Sequence, residues 1–261
     1  MTVDASLEKS IEEAAHIVRD ARHVVVLVGA GLSVESGIPP FRGQGGLWDK
    51  YGEPDMRGYQ RFLEDPKKWW TDRLASPAYQ ELIVALSLAK TNPGHKALRE
   101  MEDLGFLKHI ITQNIDNLHQ QAGSRNITEI HGNCTKLRCA NCNTRWPLAE
   151  FPIEELPAEC AHCGGLVKSD TVMFGEPIPT DVLDECIRQT HMCDCMLLVG
   201  TSAVVYPAAS FPMDVEASGG KLIEVNPDET ELTELCDVAL RAPAGSALPL
   251  LAARLRELAK E

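Results

Sequence analysis

Two spacings of apolar residues alternate along this chain. Leu7, Ile11, Ala14, Ala15 and Val18 recur at helical intervals and predict an amphipathic helix over 5–21. His23 to Val28 (His-Val-Val-Val-Leu-Val) is a continuous, β-branched run ending at a glycine, as a buried parallel strand does. Residues 29–46 hold six glycines and two prolines and predict a long loop with no helix. Asp65 to Lys90 reads as helical with a break near Ser76-Pro77, and Asn92-Pro93 opens a helix that stops at Gly105. Strands are then predicted over 109–112, 171–174, 196–199 and 221–225, and helices over 180–191, 207–217 and 246–260. This alternation implies an α/β fold, a parallel sheet covered by helices on both faces. Residues 134–170 break the pattern. Two cysteine pairs, few apolar runs and prolines at 147, 152 and 157 mark an inserted module.

Gly29-Ala30-Gly31 directly follows the first strand, where a doubly wound sheet meets its ligand. Glycines there let backbone approach a pyrophosphate, although a plain strand-to-helix turn looks the same. The third glycine of a dinucleotide fingerprint is missing, because Val34 stands in its place. Gly43 to Trp48 is no strand, so the ribose-binding acid of a dehydrogenase has no place to sit and hydride transfer is disfavoured. Gln113-Asn114-Ile115-Asp116 sits just past another strand and offers amide and carboxylate groups to a ligand; a polar helix cap reads equally well. His131 follows a short strand that ends at Glu129-Ile130, and its imidazole suits general-base work near neutral pH.

Cys139-x-x-Cys142 and Cys160-x-x-Cys163 have the spacing of a four-cysteine zinc site. Four thiolates close a tetrahedron and leave no open position, so the metal is expected to be structural. Cysteines 134, 186, 193, 195 and 236 lack such pairing and read as small buried residues.

Together these motifs resemble the sirtuins, the Sir2-type NAD-dependent protein deacylases. The string Gly-Ala-Gly-Leu-Ser-Val-Glu-Ser-Gly-Ile-Pro-Pro-Phe-Arg-Gly at 29–43 is the most specific part, and the likeness runs from residue 20 to 258. It implies a Rossmann-like NAD-binding domain from 1–40, 92–133 and 171–261, a cofactor loop and helical insertion at 41–91, and a zinc module at 134–170. It implies NAD contacts from Gly29, Ala30, Gly31, Ser33, Phe41, Arg42 and Trp48, from Gln113, Asn114, Ile115 and Asp116, and from Gly200, Thr201 and Ser202. Asn226, Pro227, Asp228 and Ala244 would complete the adenosine side. Catalysis would fall to His131 with Asn114 and Asp116, and the acylated peptide would pair with Val172, Met173, Phe174, Gly175 and Glu176. The Arg-Pro usual before that segment is Lys168-Ser169 here.

The implied reaction releases nicotinamide and O-acetyl-ADP-ribose from NAD and an acyl-lysine protein. Desuccinylating members carry Tyr-x-x-Arg in the helical insertion. Here those positions hold Arg73 and Ser76, or Trp70 and Arg73 in a shifted register, and neither pair is Tyr-x-x-Arg, so acetyl is the expected acyl group, with acidic acyl groups the alternative. An NAD glycohydrolase or ADP-ribosyltransferase on the same scaffold is the rival reading.

Charge narrows the partners. A formal net charge of −13 speaks against nucleic acid and suits basic, lysine-rich peptides. No apolar run reaches the roughly 18 residues of a membrane span. Residues 1–10 do not read as a signal peptide, so nine cysteines point to a reducing, cytoplasmic setting.

Overall fold

The structure, a computed structural model, describes residues 5–42, 45–151 and 155–261. Gly43 and Gln44 of the expected cofactor loop, Pro152 of the inserted module and the first four residues lie outside the described residues. Strands run β1 (Val24–Val28), β2 (Leu107–Thr112), β3 (Ile127–Glu129), β4 (Lys136–Cys139), β5 (Arg145–Pro147), β6 (Val167–Ser169), β7 (Cys195–Val199), β8 (Lys221–Val225) and β9 (Val238–Leu240). Helices run α1 (Ala5–Asp20), α2 (Leu47–Tyr51), α3 (Gly58–Glu64), α4 (Pro66–Ala75), α5 (Pro77–Leu88), α6 (Pro93–Asp103), α7 (Leu118–Gln121), α8 (Thr180–Met192), α9 (Phe211–Ala217) and α10 (Ala244–Leu258).

The large sheet has the order β3-β2-β1-β7-β8-β9, every neighbour parallel. That is the Rossmann order, with its direction reversing between β1 and β7. β1 is buried on both faces, which explains its unbroken apolar run. Val24, Val26 and Val28 pack with α1, α6 and α10; Val25 and Leu27 pack with Cys186 of α8 and with Phe211 and Val215 of α9. Each fully buried valine contributes about 1.5–3 kcal/mol relative to exposure.

Helices α2 to α5 form the insertion after the first strand-to-helix connection. Asp65 caps α4 through the Lys68 N–H, and Ser76 caps α5 with Pro77 behind it, which is why the helical stretch breaks there. Between β3 and α8, β5-β4-β6 form a small antiparallel sheet. Among the described residues, its buried core is Leu137, Cys139, Cys160 and Val167, with Trp146, Phe151 and Ala158 packed against it.

Four expectations need correction. Residues 29–46 are not all loop, because Ala30–Ser36 winds into a 3-10 helix that Gly37 ends at φ +86°. The run from Leu32 to Ser36 has no glycine or proline to prevent a tight turn. The expected strand at 171–174 is absent: this segment has no strand neighbour, and a ladder needs one. The helix expected over 207–217 is a 3-10 turn at Ala208–Ser210 followed by α9. The last helix starts at Ala244, two residues before the expected 246, so Ala244 opens α10 and does not sit in a preceding loop.

Candidate active site

β1 and β7 pair in register, Val28 beside Val199, and their chains leave in opposite directions. A crevice therefore opens at their carboxyl ends. It is a cleft of about 1840 Å³ between the sheet, the 3-10 turn after β1 and helices α2 to α5.

Two loops meet at its floor. Gly29 N–H donates to Val199 O at 2.9 Å and Gly31 N–H to Gly200 O at 2.8 Å. A Cβ on Gly31 would stand 2.7 Å from the Gly200 Cα. The glycine pair is thus required first by the neighbouring backbone, whatever ligand it also serves.

Asn114 reaches across this junction. Its Nδ2 donates to Gly29 O at 3.0 Å and to Ser33 Oγ at 3.2 Å. Ser33 Oγ in turn donates to Asp116 Oδ2 at 2.6 Å, and Asp116 Oδ1 accepts the Leu118 N–H that begins α7. Burial raises the Asp116 carboxyl above its ordinary range, partly offset by the Ser33 bond. Gln113 Nε2 donates to Thr201 Oγ1 at 2.9 Å, tying the β2 loop to the β7 loop.

His131 is half-buried in the wall of the same cleft. Its Nδ1 lies 3.2 Å from Gln113 O, and burial lowers its pKa below the ordinary histidine value. Gly132 follows at φ +77°, where a Cβ would collide with the Asp170 carbonyl oxygen. Only glycine lets the chain turn there and leave the imidazole at the cleft. Val172 N–H donates to the His131 carbonyl at 2.9 Å, so the segment after β6 begins on the histidine itself.

Aromatic rings join the two sides. Trp48 lies 5.4 Å from Phe41 and 5.9 Å from Phe174, and the Arg42 guanidinium stacks over Trp48 at 4.5 Å. Arg42 also approaches Glu53 at 3.8 Å.

Comparison with known proteins accounts for this arrangement. The Sir2 family model matches residues 29–207. The chain belongs to the Sir2 family. An NAD-dependent protein deacylase of Pyrococcus abyssi is 41% identical over 95% of this chain and 99% of its own length. The crystal structure of a Sir2 homolog–NAD complex superposes with a TM-score of 0.80 at 40% identity, covering 95% of this chain and 94% of the other. A Sir2–p53 peptide–NAD+ structure gives a TM-score of 0.75 at 32% identity, covering 95% and 98%.

In this Sir2 chain most of the expected contacts line one cleft: Gly29 to Gly31, Phe41, Arg42, Trp48, Gln113 to Ile115, His131, 172–176, 200–202, 226–228 and Ala244. Ser33 and Asp116 do not. They lie buried behind Asn114. The four sulfurs of Cys139, Cys142, Cys160 and Cys163 come within 4.8 Å of one another. Four thiols converging without a disulfide are a donor set for tetrahedral zinc, and amide hydrogens of Asn141 and Cys142 point at the Cys139 sulfur.

Sequence reading missed the support of the segment expected to meet adenosine. Glu224, buried in β8, pairs with Arg241 at 2.6 Å, and Arg241 Nη1 donates to the carbonyls of Asn226 and Asp228. A lone acid inside an apolar strand was its only visible signal.

Proposed function

We infer that this Sir2 protein is an NAD-dependent protein-lysine deacylase, with His131 as its general base. The observation that carries the inference is the bond from Val172 to the His131 carbonyl, which joins the proposed base to the proposed peptide-binding segment in one crevice. NAD, as co-substrate, would supply the ribose carbon to which the acyl-lysine oxygen bonds as the bond to nicotinamide breaks; water would then complete the release of free lysine and O-acetyl-ADP-ribose.

The chain's own groups then have definite tasks. Gln113 O can only accept, so the proton of His131 sits on Nδ1 and Nε2 is left free to take a proton from a ribose hydroxyl. The depressed pKa keeps the ring neutral, as a base must be. Asn114 is held by Gly29 and Ser33 to meet the nicotinamide side, with Asp116 fixing Ser33 from behind. Phe41 and Trp48 line the cleft with apolar rings that exclude water until nicotinamide has left. Val172 to Gly175 offer backbone to an extended peptide, and β-augmentation of this kind accepts many sequences around the lysine. We assign structural zinc to the four cysteines, the cytoplasm as the compartment, and the three units expected from the sequence as the division of the chain.

Acetyl-lysine is the first substrate proposed. One observation favours acidic acyl groups as a second reading. Arg73 lines the cleft between Trp69 at 5.0 Å and Tyr79 at 4.3 Å, and its buried Nε has no hydrogen-bond partner among the described residues. Incubation with NAD and matched acetyl and succinyl peptides, with products identified by mass, tests both. Nicotinamide release independent of any peptide would instead favour the glycohydrolase reading.

A further inference from the structure

Glu176 ends the proposed peptide-binding segment, and its carboxylate is buried in ion pairs at the edge of the cleft. Its side chain is 2% exposed, between two cations from the zinc module. Oε1 accepts from Arg138 Nη2 at 2.6 Å, and Oε2 pairs with Lys168 Nζ at 3.0 Å. Oε2 also accepts the backbone N–H of Met173 at 2.8 Å. Lys168, fully buried, spends its other donors on the carbonyls of Ser169 and Thr171 at 2.9 Å. Arg138 continues the network to Asp170 at 3.0 Å, and Asp170 accepts from Asn133 N–H, two residues beyond His131.

Stability alone does not explain four buried charges. Burying ion pairs costs desolvation that their attraction seldom exceeds, and apolar residues of equal volume do as well or better. Geometry does explain them. Among the described residues, 172–175 have no neighbouring strand; apart from the Glu176 side chain they are held by Val172 N–H on the His131 carbonyl, Tyr59 N–H on the Phe174 carbonyl, the turn bond from Glu176 N–H to the Met173 carbonyl and the Phe174 ring against Trp48. The carboxylate of Glu176 closes a turn on Met173 N–H, and Lys168 fixes the carbonyl just upstream of Val172.

We propose that Glu176, held by Lys168 and Arg138, is a positioning residue that pre-shapes segment 172–175 for the substrate peptide and does not itself touch that peptide. This rests on the deacylase reading. A pre-shaped edge spares the peptide the entropy of ordering it, so the effect falls on peptide affinity and leaves NAD affinity alone.

The test uses the full chain with Glu176→Gln, Lys168→Met, the charge-balanced double variant, and Lys168→Arg. Steady-state constants for NAD and an acetyl-lysine peptide are measured with zinc content, and peptide binding is followed by calorimetry. Each neutralising single variant is expected to raise the peptide KM about tenfold, with NAD KM and zinc content within about twofold. The double variant and Lys168→Arg recover part of the loss. An unchanged peptide KM overturns the proposal, as does a fall in kcat with both KM values untouched, or singles that fail to fold while the double folds with normal peptide KM. A wild type that turns over normally while the variants keep its KM defeats the clamp alone. A wild type that neither turns over nor binds acylated peptide defeats the deacylase reading with it.

Discussion

His131 Nδ1 faces the carbonyl oxygen of Gln113 at 3.2 Å, and that carbonyl belongs to the residue whose side chain also bridges to Thr201. Base orientation and cleft floor are therefore set by one residue. His131→Ala should abolish deacylation, a loss of about 10²-fold or more, while NAD binding measured by calorimetry stays within about threefold. Because burial lowers the His131 pKa, the acidic limb of kcat/KM should fall below the ordinary histidine value of about 6.5. An acidic limb above that value would remove His131 from the role.

Ser33 is the link between Asn114 and Asp116, and it lies behind the cleft wall. Ser33→Ala leaves Asp116 Oδ2 buried without that donor, a loss of about 1–3 kcal/mol in stability. Asn114 loses one of its two anchors, so the NAD KM should rise several-fold. Denaturant midpoints and NAD kinetics report the two effects separately. Wild-type values in both would show that the contact orients nothing.

The cysteine module has little else to hold it. Among the described residues its buried core is four side chains, whereas structural zinc in such sites contributes about 10–16 kcal/mol of binding. Cys139→Ala should lose the metal and unfold residues 134–170, and activity should fall at least about tenfold through segment 172–176. Metal analysis, hydrogen exchange across 134–170 and turnover check this. A zinc-free variant with normal exchange protection would contradict it.

Much of this was legible in the residues, for identifiable reasons. β1 and β7 announced themselves because strands buried on both faces are uniformly apolar, and β8 did so through Leu222, Ile223 and Val225 despite the acid at 224. α6 was clear from Asn92, whose side chain accepts from Gly94 and His95, and from Pro93 behind it. β9 stayed hidden because Val238–Leu240 is too short to show a period. Segment 171–174 was misjudged because its Val-Met-Phe composition is that of a strand, while a strand also requires a partner that composition does not report. The same limit hid the Arg138–Glu176 pair, whose members stand 38 residues apart. Polar residues separated in sequence give no periodic signal, and only the folded chain brings them together.

Two histidines in the core make acid sensitivity calculable. His95 and His119 are both buried, with ring centroids 5.2 Å apart. Neither ring nitrogen of His119 has a partner among the described residues. Burial pushes the His95 pKa down to about 4, and burial with the neighbouring His95 pushes His119 down to about 3. Both are therefore neutral in the folded protein. In the unfolded chain they take up protons as pH falls through about 6.5. Between that pH and the folded values the unfolded state binds more protons, so stability is full above about 6.5 and lost as pH falls toward 4. Each histidine contributes about 1.4 kcal/mol of loss per pH unit in that window. His119→Phe keeps a ring against His95 and removes one of these groups. Relative to wild type it should be within about 1 kcal/mol at pH 7.5 and gain about 2 kcal/mol between pH 7.5 and pH 5. Urea midpoints at the two pH values measure the difference. An identical shift at both would mean that His119 is not held neutral by the fold.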